Sequence, residues 1–199
     1  MGQMAIENLK ESMDALCDKK EEKIPTVYRR EKYINFLNKK ITDYLVKVNE
    51  LDLPLEDKKI LGGLFHVVND IERIGDHAEN FADSAQDCIQ NSLDVSDKGR
   101  TQLRDMTESV LEILNYSIEM FSKKNQEHMQ EILELEDMID LKERKYQRLH
   151  VKRLTTNECT PEAGMVFSDT VSGLERIADH ATNIAFAILK PEEHGAEDE

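Results

Sequence analysis

Two stretches of the chain, Asn69–Asp83 (NDIERIGDHAENFAD) and Ser172–Phe186 (SGLERIADHATNIAF), share Glu-Arg-Ile, Asp-His-Ala and Asn in a single register 103 residues apart (Glu72 to Glu175). A repeat of that length, inside strongly helical surroundings, requires a duplicated helical unit. Each copy sets Glu and Asp four residues apart, Glu72 with Asp76 and Glu175 with Asp179. Residues i and i+4 lie one turn apart on one helix face. Two carboxylates there repel by roughly 0.2–0.5 kcal/mol on a free helix, and a cation between them reverses the sign.

Around these strings the apolar residues recur at threes and fours. The first helix carries Met4, Ile6, Leu9, Met13 and Leu16; after a charged break at 19–23, a long second runs from Ile24 through Ile34 and Leu45 to Leu51. Pro54 is expected at the first position of a third helix, which continues past Gly62-Gly63, a kink or close packing point, to Ile89. Asn91–Gly99 is the strongest boundary. A fourth helix then runs from Leu103 to Phe121, a fifth from Met129 to Leu154, and a sixth from the Thr160-Pro161 start to Leu189.

The fold class is therefore all-α: two tandem antiparallel three-helix bundles packed side by side. Residues 1–93 form the first repeat, residues 94–190 the second, and residues 191–199 a disordered acidic tail.

With Ile71 as the inward reference, Glu72, Asp76, Glu79 and Asp83 fall roughly 80–140° to one side, while Asp70, Arg73 and His77 fall on the other. Asp70 and Arg73 are spaced to pair with each other. The fifth helix repeats the phase with Glu136, Asp140 and Glu143 beside Leu135, and the second offers Glu31 and Asn35 beside Ile34. Glu31 and Glu136, 105 residues apart, are matching positions of the two repeats. Each half thus presents acidic flanks on its second and third helices. His77 and His180 point away from the acids beside them and are expected to pack or hydrogen-bond.

A net charge of −15 excludes a nucleic-acid surface and docking on an anionic membrane by a basic patch. Three widely spaced cysteines suit a reducing compartment and buried free thiols better than a disulfide framework. No apolar run approaches the ~20 residues of a membrane span. A di-metal carboxylate oxidase is disfavoured, because no histidine has Glu three residues before it. No phosphate loop, nucleophile elbow or catalytic triad is present, so no catalytic residues are assigned.

The strings ERIGDHAEN and ERIADHATN in a six-helix tandem resemble the PhoU family of phosphate-uptake regulators over residues 4–190. The stretch HVVNDIERIGDHAENFAD is most similar to the PhoU-like cytoplasmic domain attached behind the membrane part of bacterial Na⁺/phosphate cotransporters. The resemblance implies a non-enzymatic, metal-binding regulator of phosphate uptake or transport. It implies carboxylate-held metal ions, iron first, with magnesium, manganese, calcium or nickel as alternatives. The matching ligands are Glu72, Asp76, Glu175 and Asp179, with Glu136 and Asp140 on the neighbouring helix, and Glu31. Asn35 stands where the family places Asp, which removes one charge and is expected to weaken the first-half site. The implied partners are a phosphate transporter or its membrane domain and a signalling kinase, with no nucleic acid and with homodimerisation left open. The implied location is the cytoplasm, tethered at the inner face of the cell membrane if the chain belongs to a longer transporter. A metal-free helical scaffold is the alternative.

Overall fold

A computed structural model describes residues 1–187. Its helices are α1 (Gly2–Asp18), α2 (Ile24–Asn49), α3 (Leu55–Gln90), α4 (Asp97–Lys123), α5 (Met129–Thr155) and α6 (Pro161–Phe186), with one 3₁₀ turn at Glu21–Lys23. The expected end of the sixth helix at Leu189 and the tail from 191 lie outside the described residues. No described helix is long and apolar enough to cross a membrane.

Local chemistry sets the boundaries. Ser96 and Thr160 cap α4 and α6, their hydroxyls accepting from the amides of Gly99 and Ala163 at 3.2 Å each, and Pro161 opens α6. Lys19 and Lys124 stop α1 and α4 in the left-handed region. Pro54 differs from expectation: with ψ 153 it is the extended residue before α3 rather than its first helical residue. α3 runs on through Gly62-Gly63 as expected; a Cβ at Gly63 would lie 3.8 Å from the carbonyl of Ala187, just past α6, whereas one at Gly62 would meet nothing within 4 Å. The start of α3 stands clear, with Leu55 and Ile60 exposed, and its burial begins at Leu61.

Within each half all three helices pack on one another; the halves meet where α3 lies against α6 and α1 against α4. α1, α3, α4 and α6 therefore form the centre, and α2 and α5 clad it. The core is continuous through both halves, from Leu9, Ile34 and Ile74 to Met106, Ile139 and Leu174. Ala78, Ala82 and Ala85 on α3 and Ala178, Ala181 and Ala185 on α6 are fully or nearly fully buried, so small side chains line the central helices. At the seam Gly173 makes room for Phe81, whose ring carbon would sit 2.7 Å from a Cβ there.

Candidate metal centre

In the first half the decisive side chain is Glu31. It lies within the apolar stripe of α2, between the buried Val27 and Ile34, and not on its flank as the helical phase suggests. The residue is 1% exposed, and neither carboxylate oxygen has a hydrogen-bond partner. Space for it comes from α3, because a Cβ at Gly75 would overlap Glu31 Oε2. Burial, then the charges of Asp76, Glu79 and Glu72, push its carboxyl up to about 7; Asn8, whose amide donates to the Val27 carbonyl, offsets this only in part. Glu72 and Glu79 are raised as well, by burial first and then by neighbouring acids. Asn35, expected beside Glu31, is exposed to solvent.

The ladder is less purely acidic than the sequence suggests. Arg73 Nη1 lies 3.6 Å from Asp76, and Lys32 lowers Glu79. Asp83 is engaged by the Tyr28 hydroxyl at 2.6 Å, which also lies 2.9 Å from Gln86 Oε1, joining α2 to α3 below the acids. Helical phase gives no sign of this tyrosine.

In the second half α5 and α6 face each other through Glu136, Asp140, Glu175 and Asp179. Burial and then Asp179 and Asp140 raise Glu136; burial and then Asp179, Asp140 and Glu143 raise Glu175. Asp179 is raised by burial and then Asp140, although it remains exposed. Asp140 accepts an ion pair from Arg144 at 3.0 Å. Thr182, the counterpart of Glu79, is buried with its hydroxyl unpartnered.

The histidines stand apart from both faces. His180 Nδ1 lies 2.9 Å from Asp70 Oδ1 across the seam, and the His77 ring lies tilted beside it, 6.2 Å between centroids. Asp70 thus pairs with His180 instead of Arg73, because α6 brings a better-placed partner than its own helix. Burial, followed by His180, Arg176 and Arg73, depresses His77 to about 4 and keeps it neutral.

Among the described residues no three His, Cys, Asp or Glu side chains converge closely enough to hold an ion. The donor chemistry nevertheless fits a cation in the first half: a fully buried carboxylate with both oxygens free, facing three further acids, lacks a positive partner. Oxygen-only donors suit hard ions such as Mg²⁺, Ca²⁺, Mn²⁺ or iron.

The family model for the PhoU domain matches residues 1–85 and again 103–188. The phosphate-specific transport system accessory protein PhoU homolog 1 of Thermotoga maritima is 24% identical over 188 residues, covering 94% of this chain and 80% of its own. A PhoU homolog of Xylella fastidiosa, named likewise as an accessory protein of that system, is 26% identical over 195 residues, 95% and 79% of the two chains. The fold superimposes on the crystal structure of PhoU from Pseudomonas aeruginosa with a TM-score of 0.88 at 21% identity, over 94% of this chain and 90% of that one. PhoU from Streptococcus pneumoniae gives 0.84 at 20%, over 100% and 92%. With its duplicated bundle matched twice by one family model, the chain belongs to the PhoU family.

Proposed function

We propose that this protein is a non-enzymatic regulator of phosphate transport whose acidic faces bind metal ions. The observation that carries the reading is Glu31, a buried carboxylate with two unpartnered oxygens set against Glu72, Asp76 and Glu79. In the first half Glu31, Glu72 and Asp76 would hold the ion, and in the second Glu136, Asp140, Glu175 and Asp179. A bound cation supplies positive charge that turns the repulsion across each helix pair into attraction. The chain's own acids then tie α2 to α3 and α5 to α6, so occupancy sets how firmly the outer helices hold to the centre. Iron is the first candidate. Relatives named as accessory proteins of phosphate-specific transport support a phosphate transporter as partner, and the protein would act on it, or on its membrane domain, at the cytoplasmic face of the membrane.

Elemental analysis of gently purified protein tests this, beside a Glu31→Gln, Asp76→Asn variant and a Glu175→Gln, Asp179→Asn variant. Each should fold and lose ion from its own half; equal loading of all three proteins rules the carboxylates out as ligands. One observation favours a second reading, a metal-free helical scaffold: the acids do not converge in threes among the described residues. A melting temperature that is the same before and after metal stripping selects it.

A further inference from the structure

The start of α4 and the end of α5 line an open cleft of about 450 Å³ that shares no residue with either acidic face. In a chain with a net charge of −15 its lining is unusual: Lys98, Lys152 and Arg153 against the single acid Glu158. Arg153 is the anomaly within it. The residue is 5% exposed, with the Phe167 ring 4.6 Å from its Cζ on one face. Its Nη1 donates to Gln102, another wall of the cleft, at 2.9 Å, whereas Nε and Nη2 are buried without a partner. Those two N–H groups form the side-on fork of the guanidinium, which matches two oxygens of one oxyanion. Glu158 does not fill the role, because its oxygens go to Lys98 and Thr156 at 3.0 Å each.

We infer that this cleft is an oxyanion site for a phosphate monoester, with Lys98 and Lys152 as its rim and Arg153 beneath it, a side-chain shift on binding bringing its buried fork to the ligand. The charge selects the class. Three cations against one carboxylate leave two positive charges, which a dianionic phosphate neutralises and a single carboxylate does not. Size selects the ester, since the cleft is in the range of small-molecule pockets and larger than a bare phosphate requires. Leu149 provides an apolar wall for the organic part. The site is independent of the acidic faces and stands or falls apart from the metal reading.

The test is calorimetric titration of the full chain, freed of metal on a chelating resin, at low salt. Inorganic phosphate and ribose 5-phosphate are the two ligands, with sulfate matched for ionic strength. Both phosphates should bind saturably, the ester more tightly. Lys98→Gln with Lys152→Gln should weaken them about 10-fold, and Arg153→Gln should abolish binding. The lysines are exposed, so their double variant keeps the test decisive should the Arg153 variant misfold. No saturable heat from either phosphate overturns the site, as does equal affinity in wild type and lysine variant. Binding of inorganic phosphate with the ester excluded overturns the assignment to a monoester. Stripping the metal beforehand prevents an anion held through an ion at the acidic faces from registering.

Discussion

The two halves repeat one design, yet their acidic faces differ in depth. In the first, Glu31 of α2 reaches the backbone of α3 through the gap at Gly75 and is shut away from water. In the second, the counterpart of Gly75 is Ala178, buried with its methyl in place, and the counterpart acid Glu136 stays half-buried. The charges differ less than the residue names suggest. Asn35 is neutral, but its counterpart Asp140 is already paired with Arg144. Position along the repeat decides which helices meet; a single methyl decides whether an acid is sealed between them.

The largest expected effect follows from that sealing. A carboxyl raised on folding holds its proton more tightly in the folded chain. Its contribution is therefore fully present below about 4.5 and is lost as pH rises through about 7. Each tenfold gain in proton affinity on folding is worth about 1.4 kcal/mol, so across that window Glu31 should remove up to about 3 kcal/mol from the metal-free protein. Glu31→Gln does not titrate, so the stability difference between variant and wild type should grow in the variant's favour from pH 5 to pH 8 by urea unfolding. Glu136→Gln should show a smaller difference in the same direction. Matching curves for the two variants would break the comparison of depth.

Metal affinity comes next. If depth matters, Glu31→Gln should weaken anaerobic Fe²⁺ or Mn²⁺ binding by about 30-fold, near 2 kcal/mol, and Glu136→Gln by only a fewfold. Titration of the stripped protein reads both. Equal losses would make the two faces equivalent ligand sets despite their different burial.

Much of this architecture is legible in the sequence, and the failures share a cause. Helix order and the Thr160-Pro161 start are local properties, carried by periodicity and capping, and the structure has them where the residues place them. The acids of α3, α5 and α6 follow from phase alone. Glu31 does not, because phase places it on a flank while its burial depends on a glycine on another helix. Asp70 fails similarly: the spacing offers Arg73, and the partner comes from His180 across the seam. Arg153 sits in the basic last turn of α5, and only Phe167 and Gln102 from other helices reveal it as a buried cation.

Exchanging the two small residues sharpens the comparison further. Gly75→Ala forces the flexible end of Glu31 outward and replaces a helical glycine, a gain of about 1 kcal/mol before the carboxylate's return to water is counted. The metal-free variant should melt higher than wild type while its first face binds metal no better than the second. Ala178→Gly should cost about 1 kcal/mol on the same propensity grounds. A Gly75→Ala variant that melts lower than wild type would mean that Glu31 is held in place by something other than the available space.

The smallest effect belongs to Arg144. It and its partner Asp140 are both substantially exposed, so Arg144→Gln should change stability by no more than about 0.5 kcal/mol, within the range of surface ion pairs. Its value lies in the sign of a second measurement. Arg144 neutralises an acid that the second face would offer a cation, so removing it frees Asp140 and should tighten metal binding about twofold at low ionic strength, fading as salt screens the charge. Lys39, the matching residue of the first repeat, has only Asn35 in the position of that acid, and Lys39→Gln should leave affinity at the first face almost unchanged. If Arg144→Gln instead weakens binding, Arg144 acts by orienting Asp140 toward the ion, and the second face owes its geometry to that pair rather than being hindered by it.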